Sequence, residues 1–251
     1  MSRTTSWNPA TYARDARFVA DLGQPLLELL APKNGEIIMD LGCGDGALTE
    51  KIAQTVAVVG ADASFAQARA AKERGLSIVV VDGHNLCFKR QFDAVFTNAA
   101  LHWMQQPENV VEGVWRCLKT DGRFVGEFGG QGNVGTVRSA LHQALRRRGI
   151  EPSALDPWYF PSAEDFSNLL IKSSFTVRSI EIIERPTQLP GELLDWLEIF
   201  AQPFTNAIDK DHRGSFLDEV CQRSVTALRN EDGRWTLDYV RLRFAAIKAE
   251  K

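Results

Sequence analysis

A glycine-rich segment, residues 37–49 (IIMDLGCGDGALT), has the residue types and spacing of a cofactor-binding turn. A short apolar run leads into Gly42-Cys43-Gly44-Asp45-Gly46, and a helical pattern follows at once. Glycines at these positions permit a tight turn and let the backbone approach a ligand at the N-terminus of a helix. Two cofactor classes share the spacing G-x-G-x-x-A, so the turn alone does not choose between a dinucleotide and a methyl donor.

Acidic residues in and beside the turn favour the methyl donor. Asp40 precedes the turn by two residues and Asp45 lies inside it, where a bound pyrophosphate would meet carboxylate repulsion. S-adenosylmethionine has no phosphate and carries a sulfonium and an ammonium, which an acidic turn attracts. We therefore interpret the turn as the site of this donor, with Asp40, Gly42, Cys43 and Gly44 beside it.

Polar side chains also follow the next three predicted strands. Asp62, Asp82 and Asn98 each fall near the carboxyl end of a strand, and ligands of open parallel sheets bind at that edge. Asp62 lies 20 residues beyond Gly42, the spacing at which a carboxylate binds ribose hydroxyls. We expect Asp82 to accept from the adenine amino group and Asn98 to line the methionine part of the donor.

At these positions the chain resembles the class I S-adenosylmethionine-dependent methyltransferases, and among them the trans-aconitate methyltransferase group, which methylates carboxylates. The resemblance covers roughly residues 7–130 and rests on the glycine turn and the segments WNPATY, VVGADAS, VVVDGHNLCF and FDAVFTNAALHWMQQPENVVEGVWRCLKTDGRF. It implies that Tyr12 covers the bound donor. It also implies a set of donor-binding residues: Gly42, Gly44, Asp62, Ala63, Asp82, Gly83 and Asn98.

Two positions depart from the pattern of similar carboxyl methyltransferases. His102 stands where they tend to carry glutamine, and Cys87 stands where they have proline. Because imidazole titrates near neutral pH, His102 is the candidate general base for a hydroxyl or amine acceptor, whereas a carboxylate acceptor needs no base. A histidine that only holds the loop after the fourth strand is the alternative. Trp103 is a candidate wall of the acceptor pocket.

Strands alternate with helices from residue 36 to residue 149. The predicted strands are 36–42, 56–62, 76–82, 92–98 and 123–130, and the predicted helices are 47–54, 64–75, 107–122 and 133–149. This alternation is typical of a Rossmann-like, doubly wound, mostly parallel α/β sheet. A strand at 175–184, helices at 192–204 and 215–228, and strand character over 234–249 follow. We predict seven strands, with a helical insertion at about 190–230 before the last.

The domain organisation follows from these elements. We predict one methyltransferase domain over residues 1–251, with an N-terminal lid helix within 1–34, a donor-binding core at 35–150 and an acceptor-shaping region at 151–251. We expect the insertion to roof the ligand crevice. The last region matches no family pattern residue by residue. The acceptor's identity stays open, as does the choice among Arg138, Arg178, Arg185 and Arg234 for binding a carboxylate.

Composition restricts the class of partner. The chain has 251 residues and a net charge of −3, which argues against nucleic acid as a partner. Its four cysteines form no C-x-x-C pair, so we predict no metal site and a reducing compartment. Neither a signal peptide nor a membrane span is expected, which favours a cytoplasmic enzyme with a small-molecule acceptor. A tRNA or protein methyltransferase and a non-catalytic donor-binding module are the alternatives; the oligomeric state cannot be read from the residues.

Overall fold

The structure is a computed structural model and describes residues 24–249. In chain order its helices and strands are α1 (Gln24–Leu30), β1 (Ile37–Leu41), α2 (Ala47–Ala53), β2 (Ala57–Asp62), α3 (Phe65–Glu73), β3 (Ser77–Val80), β4 (Phe92–Asn98), α4 (Pro107–Cys117), β5 (Leu118–Gly129), α5 (Gly135–Arg146), α6 (Ala163–Lys172), β6 (Phe175–Glu184), β7 (Thr187–Gln188), α7 (Leu193–Phe200), α8 (Gln202–Thr205), α9 (Arg213–Leu228), β8 (Thr236–Leu237) and β9 (Val240–Lys248). Most of the predicted lid helix lies outside the described residues.

Seven of these strands form one sheet in the order β3-β2-β1-β4-β5-β9-β6. The pairs β1–β2, β2–β3, β1–β4 and β4–β5 are parallel, whereas β9 runs antiparallel to β5. The predicted mostly parallel α/β sheet is therefore confirmed. Since the chain moves outward from β1 in one direction and returns to continue at β4 in the other, the carboxyl ends of β1 and β4 border the crevice in which such sheets bind ligands.

Apolar side chains cover one face of the central strands. Ile38 of β1, Phe96 of β4 and Val125 of β5 pack there with Leu26 and Leu30 of α1. Strands that are buried on both faces read as continuous apolar runs, which is why no polar and apolar alternation marks the central strands in the sequence.

The opposite face carries a cluster of phenylalanines under α4 and α6. The ring of Phe244 lies 4.8 Å from that of Phe124 and 4.9 Å from that of Phe166. The ring of Phe128 lies 5.0 Å from that of Phe166 and 6.2 Å from that of Phe244. All four side chains are fully buried. The cluster ties the antiparallel strand β9 to β5, so it holds in place the strand that returns to the ligand edge of the sheet.

One predicted boundary is wrong. The helical pattern predicted a helix over residues 107–122, but α4 ends at Cys117 and β5 begins at Leu118 rather than at Arg123. Leu118 is fully buried and pairs with Phe92 of β4, and the register shifts before Arg123 pairs with Ala94. Pairing with a neighbouring strand, which is a tertiary contact, therefore decides this boundary.

The chain divides into two compact units. Of the described residues, the larger unit comprises 24–131, 158–183 and 241–249 and contains the seven-stranded sheet. The smaller unit comprises 132–157 and 184–240. It contains α5, the helices α7 to α9 and the antiparallel pair β7–β8. The helical insertion before the last strand is present, while its position over the crevice and the single-domain organisation stay predictions.

Within the smaller unit, hydrogen bonds between side chains link separate segments. The Nε1 of Trp196 donates to the hydroxyl of Tyr239 at 2.7 Å. Glu219 of α9 accepts from Arg148 at 2.6 Å and from Arg223 at 2.8 Å, and these two guanidiniums hold the pKa of Glu219 below its ordinary value. Over residues 24–249, no helix has the length and apolarity that crossing a membrane requires.

The phenylalanine cluster gives a test of the fold. Phe244→Ala removes a fully buried ring between β5 and α6, and such a cavity costs about 3–5 kcal/mol of unfolding free energy. Urea denaturation followed by circular dichroism measures the loss. Phe65→Ala is the matched control, because Phe65 is 71% exposed and its loss should change the stability by less than about 0.5 kcal/mol. Equal losses in the two variants would contradict the described core.

Candidate active site

The glycine turn leaves β1 and is tied at once to β2. Gly42 donates its N–H to the carbonyl of Ala61 at 2.7 Å and has a φ of 76°. A Cβ at Gly42 would lie 2.2 Å from the Cβ of Ala100, so only glycine fits between the turn and the segment that follows β4. At Gly44, with a φ of 57°, a Cβ would meet no atom within 4 Å. The turn is thus packed on one side and open on the other.

Asp62 ends β2 beside the open side of the turn. One carboxylate oxygen accepts from the N–H of Gly44 at 2.9 Å, and the other accepts from the N–H of Ser64 at 2.8 Å. Burial raises the pKa of Asp62, and these two N–H groups oppose the rise. Each oxygen keeps a lone pair for a further donor. The carboxylate is therefore held in one orientation in which it can accept from two ribose hydroxyls, next to the exposed Ala63.

Asp40 lies beneath the turn. Its side chain is buried and accepts from the hydroxyl of Thr49 at 2.6 Å, which joins β1 to α2. Burial raises the pKa of Asp40 to about 7; the Thr49 bond lowers it and the nearby charge of Asp62 raises it further. Asp40 thus supports the turn from below and places a titratable carboxyl group behind the predicted donor site.

Cys43 faces the sheet. A Cβ on Gly60 of β2 would lie 2.9 Å from its sulfur. Burial, followed by the charges of Asp40 and Asp62, raises the pKa of this thiol well above its ordinary value. Cys43 therefore keeps its proton and contributes its backbone, not its side chain, to the open side of the turn.

Asp45 is bound on its own side of the turn by Arg74. The guanidinium donates to the Asp45 carboxylate at 2.9 Å and to its carbonyl at 2.7 Å. The sequence predicts that Asp45 helps to attract the positively charged donor. In the structure, Arg74, which follows α3, compensates the charge of Asp45. The carboxylates that remain next to the turn are Asp40 and Asp62.

Asp82 follows β3 and begins the short 3-10 turn Gly83–Asn85. Burial raises its pKa, but the backbone N–H, ring and charge of His84 outweigh this and lower it. Both His84 contacts, at 3.0 Å and 2.6 Å, use the same oxygen Oδ1. Oδ2 is therefore oriented to accept from another donor, such as an adenine amino group. Sequence reasoning missed His84, although an Asp side chain in a turn commonly accepts from the backbone N–H two residues on.

The end of β4 reaches the same edge of the sheet. Thr97 donates its hydroxyl to the carbonyl of Leu41 at 2.8 Å, so the last residues of β4 and β1 are held together. Asn98 is half-buried at this point, and Ala99, with a φ of 54°, donates its N–H to the carbonyl of Glu127. The chain turns sharply here into the 3-10 turn Leu101–Trp103.

His102 lies in that turn and is buried. Its Nδ1 accepts from the N–H of Gly129, at the end of β5, at 3.1 Å. Burial lowers its pKa well below the ordinary value, and the charge of Arg241 lowers it further. The ring is therefore neutral with its proton on Nε2, because Nδ1 is occupied as an acceptor. A ring in this state has a hydrogen-bond donor to offer at Nε2, whereas a general base needs a lone pair there.

Aromatic rings surround His102 within the larger unit. Trp103 and Phe160 lie 5.4 Å and 5.8 Å from its ring, and Trp158 lies 6.1 Å from Trp103 and stacks on Phe160. The backbone N–H of Tyr159 donates to the carbonyl of His102 at 2.9 Å. The segment after Pro157 therefore lines the same region, as large apolar groups that exclude water.

Arg241 is a further residue at this edge that sequence reasoning missed. It stands near the start of β9, pairs with Gly129 of β5 and is buried. Its sequence neighbourhood reads as an ordinary strand. The antiparallel direction of β9, which brings the start of the strand to the carboxyl end of β5, is a property of the assembled sheet.

The structure thus brings the predicted residues Asp40, Gly42, Cys43, Gly44, Asp62, Asp82, Gly83, Asn98, His102 and Trp103 to the carboxyl edge of β1 to β4. Tyr12 lies outside the described residues. Within residues 24–249, no cluster of histidine, cysteine, aspartate and glutamate has the arrangement of a metal site. The glycine cradle and the oriented Asp62 and Asp82 fit the sulfonium, ribose and adenine of S-adenosylmethionine.

Comparison with known proteins identifies the family of this chain. Residues 39–126 match the family described as "Methyltransferase domain". This chain belongs to the S-adenosylmethionine-dependent methyltransferases. It is 38% identical to an uncharacterized methyltransferase of Schizosaccharomyces pombe, over 96% of this chain and 98% of that protein. It is 26% identical to a trans-aconitate 2-methyltransferase of Methylobacterium radiotolerans, over 97% of this chain and 98% of that protein.

A solved structure shares the fold. Phosphoethanolamine N-methyltransferase 2 of Haemonchus contortus, in complex with phosphomonomethylethanolamine and S-adenosylhomocysteine, superposes with a TM-score of 0.63. The match covers 99% of this chain and 58% of that chain, at 18% identity. At this identity the similarity shows the fold alone.

The contacts of Asp62 give a test of the donor site. Asp62→Ala removes the carboxylate that accepts from Gly44 and Ser64, so S-adenosylhomocysteine should bind about 10- to 100-fold more weakly in titration calorimetry. Asp45→Asn is the control, because Arg74 compensates that carboxylate, and its affinity should change by less than about threefold. A larger loss in Asp45→Asn than in Asp62→Ala would place the site elsewhere on the turn.

Asp40 predicts a pH dependence of stability. Its pKa rises from 3.8 in the unfolded chain to about 7 in the folded protein, so its contribution to stability is complete below pH 4 and declines as the pH rises to 7. The decline amounts to at most about 4 kcal/mol. Asp40→Asn, whose carboxamide oxygen still accepts from Thr49, should lack it. Urea denaturation between pH 4.5 and pH 8 measures the difference, and parallel curves for the two proteins would contradict the buried carboxyl group.

Proposed function

We propose that this methyltransferase methylates an oxygen nucleophile of a small molecule, and that the nucleophile is a carboxylate. The observation that carries the proposal is the neutral, buried state of His102, whose Nδ1 is occupied by Gly129. A hydroxyl or amine acceptor gains from a general base, whereas a carboxylate is already a nucleophile at neutral pH. The trans-aconitate 2-methyltransferase that is similar over nearly the whole chain supports this choice of acceptor class.

The residues around the turn orient the donor. When bound, S-adenosylmethionine supplies a methyl group on a sulfonium, which the acceptor displaces in line, with S-adenosylhomocysteine as the product. Asp62 and Asp82 bind its ribose and adenine, the turn at Gly42 and Gly44 lies against it, and Asn98 lines its methionine part. We propose that Tyr12 covers it, as the resemblance implies.

Near the reacting atoms the chain has two roles. Trp103 and the rings at 158–160 exclude water, which favours a displacement in which charge is dispersed. His102 directs its Nε2–H at the acceptor and positions it for in-line attack. In this proposal alignment and a dry pocket supply the rate enhancement, and no side chain has to remove a proton.

Two alternatives from the sequence are less well supported. Methylation of tRNA or protein would fit a chain with a basic face, but the net charge is −3. For a non-catalytic protein, the argument is that an enzyme that has lost its activity is free to lose the residues that orient the donor, yet the Asp62 and Asp82 contacts are both in place. We further propose the cytoplasm as the compartment, because the four cysteines show no pairing pattern.

The acceptor class is tested by release of S-adenosylhomocysteine. The purified protein is incubated with S-adenosylmethionine and, in turn, with trans-aconitate, other di- and tricarboxylates, hydroxylated metabolites and bulk tRNA. We expect release with a carboxylate. Release with tRNA or a protein alone would overturn the proposal, as would failure to bind S-adenosylmethionine at millimolar concentration in calorimetry.

The role of His102 is tested by its pH profile. His102→Gln keeps an amide N–H near the position of Nε2, so with saturating donor and carboxylate the turnover should stay within about tenfold of the native protein and remain flat from pH 6.5 to pH 9. His102→Asn is the paired variant; it keeps an acceptor for the Gly129 N–H but has no donor at the Nε2 position. If His102 were a general base instead, turnover in both variants would fall about 10²- to 10⁴-fold. The decrease in rate at acidic pH that titration of the base causes would also disappear.

A further inference from the structure

We propose that the guanidinium of Arg241 and the Nε2–H of His102 together form a subsite that binds a carboxylate group of the acceptor. This inference rests on the proposed function, since it names the residues that would select the acceptor. It adds to the donor site a positively charged element from β9, the strand that contributes to the sheet edge from the opposite direction.

Gly129 lies between the two residues. Its N–H donates to Nδ1 of His102, and it is the residue of β5 opposite Arg241 in the antiparallel register. Residues opposite each other in such a ladder have Cα atoms about 4.5–5.5 Å apart. Arg241 and the imidazole therefore flank one backbone position at the carboxyl end of β5, and they are close enough for the charge of Arg241 to act on the ring.

The chemistry of the two groups is that of an anion site. His102 uses its acceptor nitrogen on Gly129, so it can offer a ligand only a donor. Arg241 carries five N–H donors and a charge that does not titrate at neutral pH, so it can hold a carboxylate in a bidentate pair while keeping its other contacts. Burial of the ring and the charge of Arg241 both keep His102 neutral, which preserves this donor state.

The surroundings increase the strength of such a contact. Arg241 is buried, and the rings of Trp103, Trp158 and Phe160 lie around His102. Few waters compete there, so a charge-assisted hydrogen bond is stronger than at an exposed surface. A carboxylate that enters this apolar region needs a counter-charge, and Arg241 supplies it next to the ring that we propose to contact the acceptor.

The next arginine on the same face of β9 provides a matched control. Arg243 pairs with Glu127 of β5, and its guanidinium bonds that carboxylate at 2.7 Å. Both arginines lie on one face of β9 and are largely buried, and Arg243 is bonded to a carboxylate of the protein itself. Arg241→Lys and Arg243→Lys each keep a positive charge and remove the planar pair of donors, so their comparison separates the subsite from a general effect on β9.

The experiment measures the binding of carboxylates to the complex of the protein with S-adenosylhomocysteine. Tricarballylate, trans-aconitate and the uncharged trimethyl ester of tricarballylate are titrated into the native protein, Arg241→Lys, Arg241→Met and Arg243→Lys. We expect both Arg241 variants to bind the carboxylates at least about tenfold more weakly with unchanged affinity for S-adenosylhomocysteine. Arg243→Lys should stay within about threefold of the native protein, and the ester should bind weakly and equally to all four proteins.

Three results would overturn the inference: equal carboxylate affinity in the Arg241 variants and the native protein, no carboxylate binding by the native complex, or an equal loss of S-adenosylhomocysteine binding in the Arg241 variants, which indicates a structural role.

Failure of this inference can be distinguished from failure of the proposed function. Carboxylate methylation that does not depend on Arg241 removes the subsite and keeps the function. Binding that depends on Arg241 without release of S-adenosylhomocysteine from any carboxylate keeps the subsite and removes the function.

Discussion

The close approach of the turn after β1 to the segment after β4 is the constraint on which the site depends. A side chain at Gly42 would overlap Ala100, and Thr97 bonds the last carbonyl of β1. These contacts lie between β1 and β4, where the strand order reverses. The packing that holds these two strands together therefore also borders the crevice in which such sheets bind ligands. The residues predicted to bind the donor follow β1 to β4, and the two residues that we propose for the acceptor, His102 and Arg241, come from the turn after β4 and from β9.

The electrostatics of the donor site rest on buried carboxyl groups more than on exposed ones. In the sequence Asp40 and Asp45 both lie beside the glycines, and the pattern predicts the same role for both in attracting the donor. In the structure Arg74 compensates Asp45, while Asp40 is buried beneath the turn with its pKa raised to about 7 by burial. The acidic groups on which the prediction of a positively charged donor now depends are Asp62 and, above its pKa, Asp40.

The acceptor side depends on how β9 enters the sheet. Because this strand is antiparallel to β5, its first residues lie at the ligand edge, and Arg241 comes opposite Gly129 beside His102. The imidazole that was a candidate base in the sequence is neutral, with one nitrogen occupied. The same side chain therefore fits better as a donor to an anionic acceptor than as a base for a neutral one.

The sequence by itself determined the glycine turn and the polar residues that follow the first strands of the sheet. Three signals are local, since each depends on a few neighbouring residues. They are the spacing of the glycines, the acidic residues Asp62 and Asp82 at strand ends, and the alternation of apolar strand segments with helical segments. Tertiary structure decided the beginning of β5 at Leu118, the pairing of Asp45 with Arg74, the ring state of His102 and the place of Arg241. Each of these depends on contacts between segments far apart in the chain, and no local pattern records which strand lies beside which.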